Sequence, residues 1–145
     1  MKNELKIEIS ALTANDAFVR STVAAFCLPL NPTVDQIEDI KTAVSEAFTN
    51  SVIHGYESDA EKKVEISARL DGDELEIIVV DRGCGIKDVK TAIQPFFTTK
   101  PEQERSGMGF TLMSTFMDRM DVTSAPGEGT RVVMAKKIER EVENA

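Results

Sequence analysis

Two short alternating runs separated by a tight turn constrain this chain more than any other feature. Val64, Ile66, Ala68 and Leu70 alternate with Glu65, Ser67 and Arg69, and the run stops at Asp71-Gly72-Asp73 before Leu75 to Val80 begins. Apolar residues at every second position line one face of a strand, and glycine between aspartates is turn chemistry. The segment therefore predicts an antiparallel hairpin with a buried face. The alternation fades towards Val80, which predicts that the later part of the second strand is covered on both faces. Further strands are expected at Leu5, Ile7 and Ile9, at Val122-Thr123, and from Thr130 to Ala135 after the turn Pro126-Gly127-Glu128-Gly129. The first of these either joins the main sheet or pairs with another subunit as an edge.

Helical signals fall between the strands. Thr13 through Leu28 reads as a helix with Phe18, Thr22, Ala25 and Phe26 on its apolar side and Arg20 as an ordinary charge on its polar side. Pro29-Leu30-Asn31-Pro32 ends it. Thr33 with Gln36 three residues on is a capping box, and Asp35 suits the positive helix end. That helix runs through Ile37, Ile40, Val44 and Phe48 to His54, with Gly55 as its stop. Residues from Lys87 to Gly109, broken by Pro95 and Pro101, form an irregular stretch long enough to be a lid. Phe110 to Met117 then reads as a buried helix, and the tail from Ile138 to Ala145 as charged and frayed. Without a repeat or a linker, residues 1–145 are expected to be one domain. The order β-α-α-β-β-lid-α-β-β implies an α+β fold: a mixed, mostly antiparallel sheet with helices on one face.

Charge and cysteine usage remove several function classes. A net charge of −8 argues against direct nucleic-acid binding and is compatible with a basic protein partner. Two cysteines, Cys27 and Cys84, are too few for a disulfide framework and have no CxxC spacing for zinc. The start Met1-Lys2-Asn3-Glu4-Leu5 does not resemble a signal peptide, and no apolar run approaches the ~20 residues that span a bilayer. The expectation is a cytoplasmic protein without a membrane partner.

Glu46, Asn50 and His54 follow one another at i, i+4 spacing, so a regular helix stacks a carboxylate, an amide and an imidazole in one row. Val44, Phe48 and Val52 form a second row suited to a core. The polar row alone reads as a solvated face. Three glycine clusters at element junctions alter that reading: Gly83-Cys84-Gly85, Gly107-Met108-Gly109 and Gly127-Glu128-Gly129. Glycine lets backbone approach a ligand closely, and a helix start attracts phosphate. Rossmann and Walker A fingerprints are absent, as are H-R-D and G-x-S-x-G motifs.

Together, Glu46-x-x-x-Asn50-x-x-x-His54, Asp81-x-Gly83-x-Gly85, Gly107-x-Gly109 and Gly127-x-Gly129-Thr130 resemble the ATP-site boxes of the Bergerat, or GHKL, fold of gyrase, Hsp90, MutL and sensor histidine kinases. Pro95-Phe96-Phe97-Thr98-Thr99-Lys100 is similar to the lid of the histidine kinases. The chain has no room for a dimerisation helix pair with a phospho-acceptor histidine. With Glu46 four residues before Asn50 and Arg105 just before Gly107, it looks most like the anti-sigma serine kinases of sporulating Gram-positive bacteria.

That resemblance implies roles. Asp81 accepts from the adenine amino group, with Thr130 nearby through a shared water. Asn50 coordinates Mg²⁺, an ion that takes amide and phosphate oxygens and keeps waters. Gly83 and Gly85, with Ile86 beside them, let the backbone pass the nucleotide. Gly107, Met108 and Gly109 offer N–H groups to the phosphates, and Thr99 and Lys100 reach them from the lid. Glu46 is the base for a substrate hydroxyl, and Arg105 stabilises charge on the transferring phosphoryl. His54 has no secure role. The implied function is an ATP- and Mg²⁺-dependent protein serine/threonine kinase. It would bind and inhibit a sporulation sigma factor, inactivate an anti-anti-sigma protein by phosphorylation, and form a homodimer. The alternatives are a non-catalytic, nucleotide-gated binding module and a detached histidine-kinase ATP domain.

Overall fold

The computed structural model of the chain describes residues 1–93 and 109–139. Five strands form one antiparallel sheet: β1 (Lys2–Ser10), β2 (Lys63–Asp71), β3 (Glu74–Asp81), β4 (Arg119–Ala125) and β5 (Gly129–Lys137), in the spatial order β1-β2-β3-β5-β4. Among the described residues the helices are α1 (Asp16–Phe26), α2 (Val34–Asn50), the four-residue α3 (Val89–Ala92) and α4 (Gly109–Phe116). The α+β expectation holds, but among the described residues the sheet is antiparallel throughout and not mixed. The hairpin holds as well: Asp71 faces Glu74 across a turn in which Gly72 takes φ +62°.

Strand β3 alternates buried and half-exposed residues along its whole length, so Ile78 and Val80 are not enclosed. Among the described residues no second cover lies there, and the helices pack on the other face. On that face Ile66, Leu70, Leu75, Ile77 and Met134 meet Ile40, Val44 and Phe48 of α2, all fully buried. The capping box at the start of α2 is present in full. Gln36 N–H donates to the Thr33 hydroxyl and Thr33 N–H donates to the Gln36 side chain, each at 3.1 Å.

Helix α1 lies on α2 through a face other than the one expected. Val19, Val23 and Ala24 are buried, whereas Phe18 is 56% exposed. The aromatic residues suggested one stripe, and the small β-branched row at i, i+4 makes the close contact with α2 instead. Ile138 also departs from expectation. It is buried and its N–H donates to the Asp73 carbonyl at 2.7 Å, so the predicted fraying does not begin there. The expected irregular stretch contains α3, which Asp88 caps by accepting from Thr91 N–H.

Candidate active site

Three elements meet at one end of the helix-covered face: the end of α2, the end of β3 and the start of α4. Glu46 and Asn50 are half-buried on α2, one turn apart. Gly109, the first residue of α4, packs onto both. A Cβ there would lie 3.0 Å from Asn50 Nδ2 and 3.3 Å from Glu46 Oε2. The absence of a side chain lets the positive end of α4 come down on a carboxylate and an amide.

The regular α-helix does not continue to His54. After Asn50 the chain widens into a π-helical turn, Ser51–Gly55, in which Tyr56 N–H donates to the Ser51 carbonyl five residues back. The change of pitch takes His54 out of the regular α-helical register of Glu46 and Asn50, and Gly55 ends the helical segment as expected. Its function is spatial: a Cβ on Gly55 would lie 2.6 Å from the Asp81 carboxylate. Tyr56 anchors the turn. Its hydroxyl accepts from Arg82 N–H at 2.7 Å and donates to the Lys63 carbonyl at 2.8 Å.

Asp81 ends β3, 3% exposed. Burial pushes its carboxyl above the usual carboxylate range. Hydrogen bonds from Gly83 N–H, the Ser51 side chain and Thr130 N–H pull the other way. The Gly83 bond is 3.0 Å long. Thr130 stands directly opposite Asp81 in the β3–β5 register, and Ser124 directly opposite Thr130 in the β4–β5 register. Asp81, Thr130 and Ser124 thus form a row across three strands.

The loop after Asp81 is held by backbone. Gly83 lies against the Gly55 carbonyl so closely that a Cβ would overlap it, and Gly85 lies likewise against the Ala125 carbonyl. Cys84 N–H donates to the Gly55 carbonyl at 2.9 Å, and Ile86 N–H donates to the Ser124 hydroxyl at 2.7 Å. These glycines are required by chain-to-chain packing before any ligand is considered. Cys27 and Cys84 are both free thiols.

On the outer side of Glu46 is an open polar recess lined by Arg20, Glu38, Lys41, Thr42, Ser45 and Glu46. Arg20 pairs with the buried Asp16 one turn earlier at 3.2 Å, so it is a fixed charge at the rim of this recess and not a free surface residue. Among the described residues no group of three or more His, Cys, Asp or Glu could hold a metal. Thr99, Lys100, Arg105, Gly107 and Met108 lie outside the described residues.

A family model described as "Histidine kinase-like ATPase domain" matches residues 9–136. Proteins named anti-sigma F factor are similar over nearly the whole chain. The Bacillus subtilis protein is 50% identical over 140 residues, covering 97% of this chain and 96% of its own. That of Clostridium beijerinckii is 50% identical over 135 residues, covering 93% and 94%. That of Oceanobacillus iheyensis is 49% identical over 140 residues, covering 97% and 96%. This chain belongs to the anti-sigma F factor family of histidine kinase-like ATPase domains. The crystal structure of the RsbU and RsbW domains of a Mycobacterium tuberculosis protein shares its fold, with a TM-score of 0.65 at 19% identity over 99% of this chain and 35% of that one.

In this anti-sigma F factor family member, of the residues the sequence singles out, Glu46 and Asn50 meet at Gly109, and Asp81 stands opposite Thr130 at the end of β3. The sequence signal missed Ser51, Tyr56 and Ser124. Ser51 and Tyr56 carry no spacing signal because a π turn sets their positions. Ser124 becomes visible only once the β4–β5 register is known.

Proposed function

We propose that the chain is an anti-sigma factor that holds a sporulation sigma factor inactive and is itself an ATP-dependent protein serine/threonine kinase acting on an anti-anti-sigma protein. Residues 1–145 act as one domain, with residues of about 87–109 as its lid. The convergence of Glu46 and Asn50 on the start of α4 carries the catalytic half of this reading. The relatives' shared name supports the regulatory half.

In this reading Asp81 takes the adenine amino group, with Thr130 nearby through a shared water, and the loop Gly83–Ile86 borders the base. Phosphates would lie at the start of α4, with Gly107, Met108 and Gly109 offering N–H groups and Thr99 and Lys100 as further phosphate ligands. The oxygen donors of Asn50 and Glu46 beside Gly109 suit a hard cation that keeps its waters, so Asn50 would hold Mg²⁺. The ion would neutralise phosphate charge. Glu46 takes the proton from the substrate hydroxyl as that oxygen bonds to the γ-phosphorus and ADP leaves. The recess beside Glu46 gives a protein hydroxyl access to it. Arg105 stabilises charge on the transferring group. A net charge of −8 agrees with capture of a basic sigma factor.

The outer edge of β1 supports a homodimer. It is a nine-residue edge strand whose apolar face, Leu5, Ile7 and Ile9, is only half-buried.

Incubating the chain with a candidate anti-anti-sigma protein and γ-labelled ATP tests the kinase. An acid-stable phosphate on the partner, reduced about 10²-fold or more in Glu46→Ala, is expected. An acid-labile phosphate points to histidine transfer. ATP-dependent binding without transfer points to a non-catalytic module.

A further inference from the structure

We infer that Lys136 is a positioning residue: it ties the far end of α4 to β5 and α2, and so sets where the start of that helix stands over Glu46 and Asn50. The inference rests on the reading that phosphates lie at the start of α4.

Lys136 is out of place by ordinary strand patterning. It stands opposite the fully buried Leu75 in the β3–β5 register and shares the helix-covered face with Val132 and Met134. A lysine is seldom enclosed in this way unless its charge is paired. Its side chain is 12% exposed, and its ammonium reaches two other elements. It donates to the Phe116 carbonyl at 2.7 Å and lies 3.8 Å from the Asp39 carboxylate.

Phe116 is the last residue of α4. Its carbonyl is among those a helix end leaves unpaired, and a cation there meets the negative end of the helix dipole. The chain beyond is held to β5 as well. Asp118 N–H donates to the Ala135 carbonyl at 2.9 Å, and the Asp118 carboxylate accepts from Lys137 N–H at 2.7 Å.

An eight-residue helix is a rod about 12 Å long, so a shift at one end appears at the other. Asp39 lies about two turns before Glu46 on α2. Helix α4 thus runs along α2, with its end tied near Asp39 and its start against Glu46 and Asn50. Hydrogen bonds from a helix start to phosphate weaken steeply with distance and angle. Releasing the ammonium therefore loosens the grip on phosphate. Lys136 stands roughly 20 Å along β5 from Thr130, so the base end is not disturbed.

Binding of ATP and of adenosine, which keeps base and sugar and lacks every phosphate, is measured on the full chain by calorimetric titration, adenosine in competition with ATP. The ATP-to-adenosine affinity ratio is the readout, because a general loss of stability does not move it. In Lys136→Met, which keeps an unbranched stem and removes the charge, the ratio falls by about fivefold or more. Lys136→Arg supplies a cation to the same carbonyl and recovers most of the ratio. Should the methionine variant fail to fold, Lys136→Gln, one atom shorter and neutral, lowers the ratio in the same direction. Lys137→Met removes the neighbouring ammonium, which pairs with Asp73 at 3.6 Å, and leaves the ratio as in the parent. A ratio within twofold of the parent in Lys136→Met and Lys136→Gln overturns the inference, as does an equal fall in Lys137→Met. A parent that prefers ATP, with unchanged Lys136 variants, removes this inference alone. A parent that binds ATP no more tightly than adenosine removes the phosphate reading and the inference with it.

Discussion

Asp81 carries a cost of burial that its hydrogen bonds from Gly83, Ser51 and Thr130 oppose. Its carboxyl is buried, and burial favours the neutral form. A carboxyl whose folded pKa is raised contributes stability below its unfolded value, near 3.8, and loses it as pH rises through the raised folded value. Asp81→Asn removes the titration and keeps an oxygen for Gly83 N–H. The variant is expected to gain thermal stability relative to the parent as pH increases from 4 to 7, read as a widening difference in Tm, while ATP affinity falls by at least tenfold. A Tm difference that does not change with pH would contradict the assignment of strain to this group. The carboxylate was legible in the sequence because it ends an alternating strand ahead of Gly83-x-Gly85. Of its partners, Thr130 was legible through the family resemblance alone, and Ser51 was not, since a π turn sets its position.

At the scale of elements, α2 divides into a part the sequence states openly and a part it hides. Thr33, Gln36 and the row Ile40, Val44, Phe48 follow ordinary capping and 3.6-residue periodicity, and all are found as expected. The π turn from Ser51 to Gly55 is not legible, because no residue type marks where a helix widens; its end, Gly55, packs against Asp81 and Gly83. The α1 face was misjudged for a related reason: aromatic residues outweighed the smaller row that fits the α2 groove. Two substitutions separate cap from turn. Thr33→Ala loses the side chain that caps the helix and costs about 1 kcal/mol, lowering Tm by about 3 °C, with ATP affinity unchanged. Gly55→Ala drives a methyl into the Asp81 carboxylate, and ATP affinity is expected to fall by tenfold or more. Parent-like ATP titration of Gly55→Ala would show that the turn does not shape the base site.

For the whole molecule, sheet order separates two surfaces. The proposed nucleotide end involves β3, β5 and β4, whereas β1 is the opposite edge, two strands from β3. Adjacent strands lie about 4.8 Å apart, so a second copy paired along β1 leaves the Asp81 row open. Ile7→Lys places a charge on the half-buried face of that edge. It is expected to convert a species of twice the 15.9 kDa chain mass to a monomer in light scattering, with ATP affinity retained. A parent chain that is monomeric at all working concentrations removes the dimer. The backbone contacts of Gly55 and Gly83 also bear on how tolerance to change is distributed along the chain. In a saturation-mutagenesis map scored on ATP-dependent function, these two positions will stand out as sharply as Asp81. What they guard is the fit of one main chain against another, so intolerance in this region measures the mould and not only the hand that grips the ligand.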